Sequence, residues 1–403
     1  MRLLPQDLRP EARLLLTGRG LRAFGDGFVS LLLPVYLKLL GFSDTAIGVL
    51  VAATLAGSAA LTLAVGFVAH RAGHHVLLVG ACVLMIATGI GFALETEYWP
   101  LLLIGFVGTL NPSAGDVSLF LPLEQALLAE AAGDRDRTRL FATYSLVGSL
   151  VAALGSFAAG LPELAATALG GTLVKPVQAM FALYALLGLA TYYLYRRLPP
   201  PARRAAPAQP LGSSRRIVLV LAALFSLDAF GGGFIVQSLL ALWLFDHYGL
   251  SLAAAGTFFF WSNVLTALSF LAAPRIAERI GLVNTMVWTH LPSNLLLILV
   301  PFAPSLWLAL LLLLLRSALS SMDVPTRTSY VMAVVTPPER AAAASVTAVP
   351  RSLAAAAAPL VSGYLLAASL FAWPLIAAGT LKAIYDLLLL AMFRHHRPPE
   401  ERG

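Results

Sequence analysis

Ionisable side chains set inside long apolar runs are the residues of this sequence that can do chemistry. They are Arg22 and Asp26, Asp116 and Glu124, Asp228, then Arg316, Asp323 and Arg327, and finally Arg351, Lys382 and Asp386. Placing such a charge in an apolar helix at membrane depth costs about 2.5 to 3.5 kcal/mol, so each needs a partner, a water-filled cavity or a function. Asp26 lies one turn after Arg22, which reads either as an intrahelical ion pair or as a carboxyl that takes up and releases a proton. Arg316 presents a fork of donors suited to a carboxylate or a phosphate, and Ser317, Ser320, Ser321 and Asn111 can add hydrogen bonds. The alternative for Arg316 is a buried pair that only orders the bundle. Lys382 and Asp386, one turn apart, read as a local pair. The candidate solute-binding residues are therefore Asp26, Asn111, Asp116, Gln237, Arg316 and Ser320, and the candidate proton carriers are Asp26, Asp116 and Asp228.

Other chemistries have little to stand on. The single cysteine, Cys82, sits within an apolar run and can form neither an internal disulfide nor a cysteine cluster. The three lysines, Lys38, Lys175 and Lys382, do not follow a glycine-rich phosphate loop. There is no zinc-type H-E-x-x-H, no serine nucleophile elbow, and no aspartate cluster beyond the polar Asp134 and Asp136. His395 and His396 stand isolated in a basic tail. The expectation is a protein with no catalytic residue, no metal and no cofactor. A polytopic membrane enzyme is the less favoured alternative.

The elements that must position these residues are membrane spans. Of 403 residues, 59% are hydrophobic and 12% charged, with a mean hydropathy of +0.83. Apolar stretches of about 20 residues, the length that crosses a bilayer, recur from Leu21 to Phe393, and twelve can be counted, including one over 99 to 129. Arginines gather in alternate loops: Arg71, then Arg135, Arg137 and Arg139, then six between Arg196 and Arg216, then Arg275, Arg279, Arg340, Arg394 and Arg397. The rule that positive loops stay inside makes that side cytoplasmic and both termini with it. The formal net charge of +7 is thus spent on topology, and nucleic acid is not an expected partner.

Residues 196 to 216 are rich in arginine and proline and lack acids, as an exposed hinge would be. They divide the chain into an N-terminal six-helix bundle (1–195) and a C-terminal one (217–403). At an offset of 208 residues, Gly25 aligns with Gly233, Ser30 with Ser238, Gly41 with Gly249, and Ala69, Arg71 and Gly73 with Ala277, Arg279 and Gly281. Such a parallel repeat of six spans recurs in secondary transporters. The first span carries Gly25-Asp26-Gly27 and the seventh Gly231-Gly232-Gly233. Both read as weak helix that interrupts the span at a transport site, or as glycines that let helices touch. Small-residue stripes in the fifth and eleventh spans (Gly148, Ala152, Ser156; Ala354, Ala358, Ser362) read as packing.

After the second span the chain reads Gly66, Phe67, Val68, Ala69, His70, Arg71, Ala72, Gly73. A weaker copy after the eighth runs from Pro274 and Arg275 to Glu278, Arg279, Ile280 and Gly281. Both resemble the G-x-L-A-D-R-x-G signature of the major facilitator superfamily, and the resemblance covers nearly the whole chain. It implies an all-α membrane protein of twelve transmembrane helices in two pseudo-symmetric six-helix bundles, rocking to give alternating access, with spans one, four, seven and ten lining the cavity. His70 replaces the family's aspartate, so the cytoplasmic lock there either uses other partners or senses pH through an imidazole. The bland alternative is a solvated loop residue. Glu124 and Arg327 fall at matching places near the ends of the fourth and tenth spans (offset 203, from 122 to 325) and read as a gate contact. The gate candidates are Arg22, Glu124, Asp323, Arg327, His70, Arg71, Glu278 and Arg279. The function expected is a secondary active, proton-coupled transporter of a small organic solute, a monomer in a bacterial inner membrane. Multidrug or divalent-metal efflux is the alternative.

Overall fold

A computed structural model of the chain describes residues 9–72, 74–113, 118–131, 137–198, 211–336, 339–369 and 371–394. Every regular element among the described residues is helical. The first six spans contain α1 (Pro10–Leu39), α2 (Asp44–Ala72), α3 (His74–Leu94), α4 (Tyr98–Val107), α5 (Phe120–Ala131), α6 (Arg137–Ala158), α7 (Leu161–Leu169) and α8 (Val174–Tyr195). The remainder are α9 (Arg215–Gly233), α10 (Gln237–Tyr248), α11 (Leu252–Ile280), α12 (Leu282–Leu299), α13 (Leu306–Ser320), α14 (Asp323–Val334), α15 (Arg340–Ala368) and α16 (Trp373–Phe393). Among the described residues, eleven helical stretches are long and apolar enough to cross a bilayer, and α4 is a shorter apolar helix.

By packing, the chain forms two compact units. Unit 1 is Met1–Ala205 with Gln237–Phe260, and unit 2 is Ala206–Val236 with Trp261–Gly403. Large apolar side chains such as Leu103, Phe106, Leu268, Trp288 and Leu295 stand exposed on the helices, as is stable only where the surrounding medium is itself apolar. Trp99, Trp307 and Trp373 are exposed in the first turns of α4, α13 and α16, where an amphipathic ring can sit at the membrane–water boundary.

Several spans are broken, one of them, the seventh, at the Gly231-Gly232-Gly233 run read as weak helix. The fourth divides into α4 and α5. Its first half stops at Gly108, whose backbone is extended (φ −78°, ψ −168°), and Asn111, preceding Pro112, is disfavoured as helix. The Asn111 side chain then accepts from the Ser113 amide (3.2 Å) and hydroxyl (2.7 Å), fixing a local turn in place of the helix ladder. The seventh span breaks after Gly233, and the tenth breaks at Ser321 and Met322. Backbone groups released by these breaks are satisfied within their own unit: the Ser238 amide and hydroxyl donate to the Pro112 carbonyl (3.1 and 2.6 Å) in unit 1, and the Ser362 hydroxyl donates to the Phe234 carbonyl (2.8 Å) in unit 2.

The first span differs from expectation in the opposite sense. α1 runs unbroken through Gly25, Asp26 and Gly27, so these glycines serve contact, not interruption. A side chain at Gly27 would run into the Ala152 and Ser156 backbone of α6, and one at Gly25 into the Tyr184 ring of α8. In unit 2, Gly233 meets Ala355 and Ala358 of α15 in the same fashion. The small-residue stripes are thus the seams on which α1 meets α6 and α9 meets α15.

A carboxylate closes one exposed end of unit 2. Glu339, just before α15, accepts from the amides of Gly212 (3.1 Å), Ser213 (3.2 Å) and Ser214 (3.1 Å), which precede α9. The Ser214 side chain, followed by these amides, holds the Glu339 carboxyl below the usual glutamate range. A depressed native value stabilises the fold above the ordinary glutamate range of about pH 4.3 and is lost as pH falls below it. Thermal unfolding should therefore show Glu339→Gln less stable than wild type at neutral pH, with the gap closing as the pH is lowered through that range. A gap independent of pH would mean that the carboxylate charge contributes nothing.

Candidate functional site

In unit 1 the ionisable residues converge on Glu124. α1 supplies Arg22, whose guanidinium donates to both Glu124 oxygens. α6 and α8 supply Tyr144 and Tyr195, whose hydroxyls donate to the same carboxylate. Glu124 is 0% exposed and Arg22 2%, a burial that only this degree of pairing can support. The Arg22 guanidinium also lies 4.1 Å from the centroid of the Phe120 ring. Gly18 leaves the space that the Tyr195 ring occupies, since any side chain there would collide with it.

The partner of Arg22 is therefore Glu124 on α5, and the reading of an intrahelical Arg22–Asp26 pair is corrected: a full set of donors on a buried carboxylate outweighs a neighbour one turn away. Asp26 is buried, near the Asn111 side chain. The Tyr184 hydroxyl braces the same irregular stretch by donating to the Thr109 carbonyl (2.9 Å).

Unit 2 holds a larger network. Asp228 of α9 receives Lys382 of α16 at 2.5 Å and Arg327 of α14 at 3.1 Å, and Arg327 also lies 3.6 Å from Asp323. His290 of α12 approaches Asp386 through Nδ1 at 2.9 Å and Asp228 through Nε2 at 3.8 Å. Asn294 donates to Asp386 at 2.8 Å. Lys382 and Asp386 thus do not form the local pair expected of them. The lysine turns to Asp228 and the aspartate to His290 and Asn294, because both lie on the buried face of α16.

The two units use opposite polarity. In unit 1 the first span carries the cation and the second half of the fourth carries the anion; in unit 2 the seventh carries the anion and the second half of the tenth carries the cation. Glu124 and Arg327, matched in sequence, each have a counter-ion inside their own unit.

Arg316 stands apart. It is half-buried on α13, its Nε is buried without a hydrogen-bond partner, and it makes no ion pair among the described residues. Beside it, Ser317 exchanges a hydrogen bond with Ser262 (2.7 Å), and Ser320 ends the helix half-buried. Gln237 donates to the Ser156 hydroxyl (3.3 Å) within unit 1. Glu278 and Arg279 are exposed at the end of α11. Asp116 lies outside the described residues, as do the side chains of His70 and Arg71, which fall on the last turn of α2.

Sequence reasoning passed over His290, Asn294, Tyr144 and Tyr195. His290 had a usable signal, a lone imidazole inside the apolar run Leu282 to Leu299, but counting formal charge treats it as neutral. The tyrosines had none, since their role depends on Glu124, 20 and 71 residues away.

The sequence pattern of the Major Facilitator Superfamily matches residues 15–291 and 222–403. A curated relative, an uncharacterized membrane protein of Saccharomyces cerevisiae, is 25% identical over 95% of this chain and 94% of its own length. Among solved structures, the nucleoside transporter NupG is similar with a TM-score of 0.71 at 15% identity, covering 98% of this chain and 100% of that one. A bacterial homolog of the human lysosomal transporter Spinster, inward-facing and occupied, gives 0.73 at 17% identity over 96% and 99%. The xylose transporter XylE from E. coli, inward open, gives 0.71 at 15% identity over 94% and 95%.

Each tyrosine hydroxyl on Glu124 is a hydrogen bond to a buried charge, of a kind that contributes about 1.5 to 3 kcal/mol. Tyr144→Phe and Tyr195→Phe should each lower thermal stability by an amount in that range, whereas Tyr364→Phe, at an exposed tyrosine of α15, should not. Equal stability of all three variants would show that Arg22 alone satisfies the carboxylate.

Proposed function

Because the chain belongs to the major facilitator superfamily, we propose that it is a secondary active transporter that moves a small organic solute bearing a carboxylate or phosphate, by alternating access and with coupling to protons. The observation that carries the substrate class is Arg316. The other charged residues at the heart of the two networks have a counter-ion or hydrogen-bond partner, while Arg316 makes no ion pair among the described residues and its Nε is buried without a hydrogen-bond partner. A planar fork of donors on a half-buried helix face favours a planar or tetrahedral oxyanion. Ser320, at the end of the same helix, is the further residue of this unit assigned to the solute, and Asp26, Asn111, Asp116 and Gln237 remain candidates from the sequence.

The pairs Arg22–Glu124 and Asp228–Arg327–Asp323 serve in this reading as braces that keep each half rigid while the halves rock. Arg71, His70, Glu278 and Arg279, at the ends of the second and eighth spans, act in the cytoplasmic gate. By the rule that positive loops stay inside, the arginine-rich loops support cytoplasmic termini, with a single chain as the transporting unit.

The test begins with thermal-shift screening of purified protein against organic mono- and dicarboxylates, phosphate esters, neutral sugars and nucleosides, and lipophilic cations. Uptake of the stabilising compound into proteoliposomes, with and without a pH gradient, follows. Stabilisation by anionic compounds is expected, with affinity lowered about tenfold or more in Arg316→Gln, as befits loss of a charge-assisted contact. Stabilisation by lipophilic cations alone would replace this reading with drug export, and uptake indifferent to the gradient would remove the proton.

A further inference from the structure

We infer that α7 is a lipid-contacting helix that lays Leu161, Leu164 and Ala168 against the headgroup boundary of the leaflet away from the arginine-rich loops, with Glu163 on its other side fixing its rotation. This contact does not depend on which solute the chain moves.

α6 ends about where the hydrocarbon does. From Leu140 to Ala158 it rises roughly 28 Å at 1.5 Å per residue, close to the roughly 30 Å of a bilayer core. Its Leu150, Leu154 and Phe157 are exposed, as lipid-facing side chains are. After a turn at Ala159 and Gly160, α7 begins at the headgroup boundary and packs on α8. It ends at Gly170, whose left-handed backbone (φ 61°) turns the chain back, and residues 170 to 173 lead into α8.

The two sides of α7 are the reverse of those of an ordinary surface helix, which turns its charge to water and its leucines inward. The exposed side carries Leu161, Leu164, Thr167, Ala168 and Leu169, and the three leucines are 53%, 61% and 82% exposed. Thr167 asks nothing of water, since its hydroxyl donates to the Glu163 backbone carbonyl (2.9 Å). Glu163, the one charged residue of the helix, is turned to the protein, where its carboxylate accepts from the Ala253 amide (2.9 Å) in the first turn of α11. A helix so oriented is stable where the medium outside it is apolar.

Continuity with α6 identifies that medium. Leu150, Leu154, Phe157, Leu161, Leu164 and Ala168 follow one another at spacings of four and three residues, so a single face runs from the span into α7. What covers its first half covers its second. Behind this face the fit is close: a side chain at Gly160 would run into Ala253, and one at Gly256 into the Ser156 and Phe157 carbonyls. All these residues belong to unit 1, yet α11 forms the eighth span and so comes from the second sequence repeat. Lipid therefore covers the back of a joint between the two repeats, and Glu163 ties the covering helix to that joint.

Spin-label accessibility in the full chain tests this. Cys82, the one native cysteine and a buried one, is replaced by Cys82→Ala, and the protein is held in lipid nanodiscs. Single nitroxides are introduced through Leu164→Cys and Ala168→Cys. Leu154→Cys serves as the lipid reference, and Glu97→Cys, exposed between α3 and α4, as the water reference. Collisions are measured with oxygen, which concentrates in lipid, and with a water-soluble nickel complex. Labels at positions 164 and 168 should favour oxygen as the Leu154 label does, with nickel collisions several-fold below the Glu97 level. Glu163→Ala should raise nickel collisions at position 164 several-fold, whereas Glu163→Gln, which keeps an oxygen acceptor, should not. Nickel collisions equal to those at Glu97 place α7 in water and overturn the proposal. Low collisions with both reagents place protein on this face, a second copy included, and overturn it equally. A position 164 label indifferent to Glu163→Ala overturns the role given to the carboxylate. The Leu154 label, which reads as lipid-facing only on an intact α6, verifies folding in each background.

Discussion

A charge placed among apolar helices must bring its counter-charge with it, and this constraint shapes both halves of the protein. Glu124 is enclosed by Arg22, Tyr144 and Tyr195, drawn from α1, α6 and α8. Asp228 is enclosed by Lys382 and Arg327, drawn from α16 and α14. In each case the carboxylate gathers donors from separate helices, so the ion pair also fixes how those helices are rotated. Hydrophobic burial cannot do that at membrane depth, because lipid tails are as apolar as the side chains they meet. Close backbone contact at Gly27 and Gly233 and the buried ionic clusters therefore set the packing together.

Against a background of paired charges, an unpaired one has meaning. Arg316 makes no ion pair among the described residues, and its Nε is buried without a hydrogen-bond partner. Natural proteins keep such an arrangement where a ligand supplies the missing partner. The breaks in the fourth, seventh and tenth spans act in the same direction. They expose backbone that a continuous helix would hide, and the hydroxyls of Ser238 and Ser362 satisfy part of it. Irregular backbone of this kind is tolerated at membrane depth only where protein or water covers it.

The membrane character and the spans were legible because length and hydropathy are properties of single segments, independent of tertiary structure. Loop arginines and the repeat at an offset of 208 residues pointed to the all-helical transporter fold for the same reason. Partnerships were not legible, since the nearest opposite charge along a helix is only one competitor. Asp26 lies one turn from Arg22, yet Glu124, 102 residues away, takes the guanidinium. Asp386 lies one turn from Lys382, yet Asp228, 154 residues away, takes the ammonium. The glycines of α1 were ambiguous because Gly both weakens a helix and admits a neighbour, and only the position of α6 decides which property is used. The break before Asn111 was readable in principle from the following proline, but the high hydropathy around it masked the signal.

The central claim is that the buried ions are held by one another and not by water or lipid, and a double-mutant cycle on Arg22 and Glu124 measures this most directly. Unfolding free energies would be compared for wild type, Arg22→Met, Glu124→Leu and the double variant. The account predicts that each single change is severe, about 3 to 5 kcal/mol, because it strands a buried charge, and that the double variant recovers most of that loss. Additive losses, with the double variant as unstable as the two singles combined, would contradict it.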